Sequence, residues 1–158
     1  MAAGISKTTT IPLLALTFIF SVITLGLVAH IEKVGSFPAS NFHGVIIQLT
    51  FAAAWTTLFS LVFMITGFVL SRNSFFSAGV VGIFIFLSFL QLIVGAGGLV
   101  AVLKKYGTPD NGSLYKALQA FAFISAFFAL FTTVAAFLNY VAGKAVDVQP
   151  KKEEEVHF

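Results

Sequence analysis

The stretch Ser71-Arg72-Asn73-Ser74 decides how this chain folds. It separates two long apolar runs, residues 44–70 and 75–103, and Arg72 is the only charge between Gly44 and Leu103. At ~1.5 Å rise per residue each run already exceeds a hydrocarbon core of ~30 Å. The two runs cannot form one helix across a bilayer. The chain must turn back at Ser71–Ser74, and a turn holding an arginine belongs at a membrane surface.

Outward from that hairpin, the remaining sequence supplies one more span on each side. Residues 11–29 carry no charge and form the first span. A cleaved signal peptide is the rival reading, with Lys7 in its basic region. The apolar run exceeds the about 7–15 residues of such a segment, and no small-x-small cleavage site stands near Ala29, so retention is expected. Residues 117–141 form the fourth span. The expected organisation is a lead over 1–10, a membrane domain over 11–142 with spans 11–29, 44–70, 75–103 and 117–141, and a flexible tail over 143–158. The tail, with Lys151-Lys152-Glu153-Glu154-Glu155, has too little apolar content to fold alone. The fold class is all-α: an integral membrane bundle of four antiparallel transmembrane helices.

Composition agrees. Of 158 residues, 58% are hydrophobic and only 9% charged, against about 25% charged in an ordinary soluble domain. The net charge of +3 comes from lysines beside the spans, with no basic stripe, so nucleic-acid binding is not expected. The chain has no cysteine. That removes disulfides, thiolate metal sites, a cysteine nucleophile and S-palmitoylation together.

Four spans place both termini on one side. Lys7, Arg72 and Lys144 lie there, with Lys151 and Lys152 further off, while Lys33, Lys104, Lys105 and Lys116 lie opposite. The positive-inside comparison is nearly even. Asn111-Gly112-Ser113 is a glycosylation sequon on the side of the two larger loops, 30–43 and 104–116. If it is used, Asn111 faces outward and the termini are cytosolic. The expected location is a plasma membrane or endomembrane, multi-pass.

Helices in lipid associate through small residues and shared hydrogen bonds. Small seams recur at spacings of three, four and seven, which put each set on one helical face. They are Thr17, Ser21 and Thr24 in span one, and Ala53, Thr57, Ser60 and Gly67 in span two. Span three carries Ser88, Gln91, Gly95 and Gly98. Span four carries Ala122, Ala126, Ala129, Thr133 and Ala136. They predict a close-packed left-handed bundle, with one seam available as an oligomer interface. Gln91 is the one strongly polar side chain near mid-bilayer. It is expected to point inward and clip helices together, with Thr57, Ser60, Thr17 and Ser21 at its depth; the functional alternative is a polar spot on a permeation path. Phe is abundant, 20 residues. Phe123, Phe127 and Phe131 form a ridge expected to face lipid, with Phe121 and Phe128 beside it. Trp55 lies too deep for an interfacial belt and reads as a packed or lipid-facing side chain.

Chemistry is absent from this pattern. No Asp, Glu, Lys, Arg or His lies inside a span, which argues against proton relays, voltage sensing and ion-coupled transport. His30, His43 and Glu32 could meet beside the first loop, but their spacing is a weak case for a metal. No phosphate loop, nucleophile elbow or metalloprotease helix is present. No catalytic residue, cofactor or metal is expected.

Two stretches carry a family resemblance: Phe20-Ser21-Val22-Ile23-Thr24-Leu25-Gly26-Leu27-Val28-Ala29, and Ala117-Leu118-Gln119-Ala120-Phe121-Ala122-Phe123 opening span four. With the four spans, tight central hairpin and modest outer loops, residues 11–142 resemble the MARVEL-domain proteins, most of all their small fungal members. The chain departs from members that carry cysteines in the outer loops. The missing cysteines also argue against tetraspanins and claudins. The resemblance implies membrane apposition, sorting or scaffolding of lateral domains, without catalysis. The implied partners are membrane lipids, other membrane proteins or further copies of this chain. The alternative from a different class is an oligomeric channel or carrier for a small neutral solute, lined by Gln91 and the seam hydroxyls.

Overall fold

The computed structural model describes residues 9–34, 40–69, 78–109 and 112–148. The Ser71–Ser74 hairpin, Asn111, Lys7 and residues 149–158 lie outside them. Among the described residues the chain forms four helices: α1 (Thr10–Val34), α2 (Ser40–Val69), α3 (Ala78–Tyr106) and α4 (Gly112–Val148). Each is long and apolar enough to cross a membrane.

Local sequence explains the ends. Pro12 sits in the first turn of α1, where a backbone N–H would have no helical partner. α3 stops at Gly107, whose positive φ of 80° suits a residue without Cβ. Its N–H donates to the Leu103 carbonyl at 3.0 Å, the left-handed cap that satisfies an orphan carbonyl. Pro109 follows and blocks resumption of the helix.

The helices overrun the apolar spans read from sequence. α1 continues through Glu32 and Lys33, α2 begins at Ser40, and α4 starts at Gly112 and runs to Val148. Residues 30–34, 40–43 and 112–116, expected in loops, are helical, and so are 143–148, expected in the tail. For the loop-end extensions the reason is burial. Ile31, Phe42 and Tyr115 join Val28, Ile46, Leu99 and Leu118 in one apolar cluster, while Lys33 and Lys116 stay exposed on the other faces of their helices. One-sided apolar burial suffices to extend a helix past the bilayer.

Each helix packs on two neighbours, in the cyclic order α1, α2, α3, α4 and back to α1. Contacting residues run in opposite directions along each adjacent pair: Thr50 meets Glu32 while Thr57 meets Ser21. Thr17 meets Thr132 while Thr24 meets Ser125. Gly95 faces Leu49 while Gly98 faces Val45, and Gly79 faces Tyr140 while Gly82 faces Phe137. The bundle is therefore antiparallel throughout.

Its interior is layered. The loop end holds the cluster around Phe42 and Tyr115. The hairpin end holds Ile11, Leu14, Phe63, Val81, Ile85, Ala129 and Ala136. Between them the apolar core narrows to Ala52, Leu92 and Ala126, and fully buried hydroxyls fill the waist: Thr17, Ser21, Thr24, Thr56, Ser60, Ser88, Ser125 and Thr132. Outside, the pattern inverts. Only 33% to 39% of the most apolar window of each helix is buried inside the protein. Leu58, Val94, Phe127, Leu138 and Val141 are among the large side chains left more than half exposed. Soluble monomers rarely carry apolar surface on this scale; lipid is its solvent.

Candidate functional site

The waist is held by polar contacts from α1. Thr57 Oγ1 on α2 donates to Ser21 Oγ at 3.0 Å, and Ser21 donates to the Phe18 carbonyl. Toward α4, Thr17 and Thr132 lie 3.1 Å apart, as do Thr24 and Ser125. All four of these hydroxyls also sit within bonding distance of a carbonyl on their own helix, four residues back. Each pair thus has two protons for three acceptor contacts, so one contact always goes without a full hydrogen bond. At the hairpin end Asn139 Nδ2 donates to Thr10 Oγ1 at 2.8 Å. Aromatic packing reinforces the α1–α4 face: Phe20 stacks on Phe128 at 5.1 Å and on Phe121 at 6.2 Å.

Sequence reading placed the hydroxyl seam of α1 but missed its α4 partners Ser125 and Thr132, and the Asn139–Thr10 bond below them. A serine or threonine among apolar residues shows its helical phase, not the side chain it will meet. Gly79 and Gly82 were missed too. They are notches on α3 that receive Tyr140 and Phe137, with an added Cβ coming within 3.3 Å of either ring.

The α2–α3 face is built differently. Trp55, Phe59, Phe63 and Phe84 form an aromatic cluster, with Trp55 and Phe59 at 4.5 Å and Phe59 and Phe84 at 4.8 Å. Trp55 is accordingly packed and half-buried. Buried polar atoms here lack partners: Trp55 Nε1, Ser60 Oγ and Gln91 Oε1. The expected clip at Gln91 is not formed through that oxygen. Of the partners expected at its depth, Thr57, Ser21 and Thr17 bond along α1, and Ser60 Oγ is itself without a partner.

The remaining seam residues fall as follows. Ala122, Ala126, Ala129 and Ala136 are fully buried, and Thr133 is buried with its hydroxyl on the Ala129 carbonyl. Gly95 sits against Leu49 so closely that a Cβ would lie 2.7 Å from its Cδ2. Gly98 packs on Val45, where a Cβ would lie at 3.4 Å. The Phe ridge divides. Phe127 and Phe131 are exposed, at 58% and 54%, with rings 6.5 Å apart. Phe123 instead packs against the loop-end core. Four residues advance ~40° beyond a full turn, so over the two steps from Phe123 to Phe131 the ridge drifts off one face.

Above the aromatic cluster, toward the loop end, the α2–α3 seam bears an open groove of about 520 Å³. Gly95, Gly98, Val45 and Val102 line it, with Val94 and Ala101 at one rim and Asn41, Gly44 and Gln48 at the other. Asn41 Nδ2 donates to the Tyr106 hydroxyl at 3.3 Å across its mouth, and the Lys105 ammonium lies 5.3 Å from the Tyr106 ring centre. Among the described residues no three His, Asp or Glu side chains cluster as a metal site would need; Glu32 accepts from Thr50 Oγ1 at 3.0 Å.

Comparison with protein-family models, with curated proteins and with solved structures finds no match for the chain.

Proposed function

We propose that this protein is a non-catalytic organiser of membranes, acting in lateral domains, apposition or sorting through contacts with lipids and other membrane proteins. One observation carries the reading: polarity is turned inward and closed off. The waist hydroxyls are fully buried and most bond to their own helix or to a neighbour. The lipid-facing surface of every helix is apolar. Such a bundle offers its surroundings shape and dispersion contacts rather than reactive groups. The MARVEL-like hydropathy pattern points the same way, and cytosolic termini belong to the same proposal.

The competing reading is an oligomeric channel or carrier for a neutral solute. It draws on the hydroxyl-rich waist and on the unpartnered Ser60 and Gln91 oxygens. Reconstitution in giant vesicles separates the two. An organiser redistributes labelled lipids or co-reconstituted membrane proteins around itself and passes no more glycerol or urea than protein-free vesicles. Solute flux that Gln91→Leu abolishes would overturn it in favour of the channel.

A further inference from the structure

We propose that the groove between α2 and α3 holds an anionic glycerophospholipid, with its phosphate at the loop end, its glycerol over the glycine floor and one acyl chain running on toward Trp55. The inference deepens the organiser reading by naming the lipid class.

From the loop end through the groove to Trp55, the α2–α3 seam passes from polar to apolar in the direction a phospholipid does. At the mouth stand Asn41 and the Tyr106 hydroxyl. Lys104 and Lys105, both exposed, follow the rim residue Ala101 by three and four positions and so share its helical face. Among the described residues Lys33 and Lys116 are at the same end of the bundle, and Glu32 is the one carboxylate there. The local charge is therefore positive, which favours a headgroup of net negative charge over a zwitterion. Gln48 lies seven residues deeper than Asn41, ~10 Å along the helix. It is half-buried in the groove wall, where a primary amide calls for an acceptor. The ester carbonyls of a glycerophospholipid lie on the chain side of its phosphate and supply one. A sterol has a single hydroxyl and could not engage both levels. Gly98, opposite Val45, lies between Asn41 and Gln48, and Gly95, opposite Leu49, lies level with Gln48; below them come Phe51, Trp55 and Phe84, an apolar stretch that suits an acyl chain. A Cβ at Gly95 would lie 2.7 Å from Leu49 Cδ2, so the missing side chain lets α2 and α3 close up beneath the groove.

The chain carries its own reporter. Trp55 is the single tryptophan. It follows Gln48 by seven positions, on the same face of α2, and stacks on Phe84 of α3 across the same seam. A bromine on an acyl chain lying in the groove approaches Trp55 and quenches it. Two glycines supply matched variants. A Cβ at Gly44, on the groove rim, or at Gly97, exposed but outside the groove, meets nothing within 4 Å. Gly44→Leu fills the mouth without displacing protein atoms, and Gly97→Leu makes the same chemical change elsewhere.

The test uses the full chain in phosphatidylcholine vesicles containing an equal fraction of acyl-brominated phosphatidylserine or acyl-brominated phosphatidylcholine. The expected result is stronger Trp55 quenching by the serine lipid. Gly44→Leu removes that excess and Gly97→Leu keeps it. Lys104→Gln and Lys105→Gln each reduce the serine preference, by about fivefold in relative affinity per lysine. Gln48→Leu, of similar volume, weakens quenching by both lipids. Equal quenching by the two lipids in the unaltered protein overturns the proposal, as does an excess that survives Gly44→Leu. Stronger quenching by a brominated sterol also overturns it. None of those results touches the redistribution assay, so the organiser reading can stand while the groove fails, and the reverse.

Discussion

The α1–α4 and α2–α3 faces solve the same problem with different chemistry. Both join antiparallel helices in a solvent that gives no hydrophobic drive for association. The α1–α4 face uses short side chains: hydroxyl pairs Thr17–Thr132 and Thr24–Ser125, backed by alanines and by Phe20 stacking. The α2–α3 face uses rings and glycines, leaves three polar atoms unpartnered, and opens into a groove. Hydroxyls that can fall back on their own helix let backbones approach without leaving an orphan if the neighbour shifts. Glycines opposite leucine and valine give closeness at single points only. Beside such points the seam keeps an open groove. The sealed face is suited to structure and the open face to recognition.

Five substitutions test that contrast, and thermal stability in detergent reads all of them. Ala129→Leu, on the sealed side, should cost most. Ala129 is fully buried among Leu14, Val81 and Ile85, and overpacking of this kind costs ~1–3 kcal/mol. Its counterpart on the lipid surface, Phe127→Leu, should be nearly silent. If Phe127→Leu is the more damaging, the exposed ridge is an interface rather than a lipid-facing surface.

Gly95→Ala comes next, at ~1–2 kcal/mol, because the new Cβ meets the Leu49 side chain at 2.7 Å. Leu49 is flexible at its far end, so the cost stays below that of a leucine in the core. Combining it with Leu49→Ala should give less loss than the two single changes summed. Simple additivity would mean that these residues do not touch.

Thr132→Val should cost only ~0.6 kcal/mol, the average for interhelical hydrogen bonds in a bilayer. Thr17 keeps its bond to the Leu13 carbonyl, and the proton shortage of the pair disappears. A loss several times larger would show that the hydroxyl pairs dominate the sealed face, which sharpens the contrast drawn here.

Gln91→Leu should be neutral or slightly stabilising, since Gln91 Oε1 is buried without a partner and its removal deletes an unmet desolvation cost. Destabilisation by more than ~1 kcal/mol would mean that the amide is bonded after all, and the open face would then resemble the sealed one.

Much of this architecture was legible in one dimension. A span is a length of apolar chain set against bilayer thickness, so four runs and one arginine-bearing interruption predict four helices. Small residues at Ala122, Ala126, Ala129 and Ala136 predict a buried face because their spacing matches the helical repeat. Helix ends were less legible. Ile31, Phe42 and Tyr115 carry the helices past the apolar runs only because they find one another at the loop end, across a distance in sequence that no local pattern encodes.

What tertiary structure alone decided is which seam meets which. Gln91 and Thr17 look alike as polar residues on small faces, yet Thr17 is met by Thr132 while Gln91 Oε1 is met by nothing. Phe123 and Phe127 look alike as ridge residues, yet one packs and the other faces lipid. A sequence specifies the angular position of each side chain about its own helix. It does not specify the order of helices around the bundle, their rotation or their relative height. Those follow from the summed dispersion and hydrogen-bond energy of all four helices packed together, in which a single glycine against a leucine determines where two helices touch and where a groove opens between them.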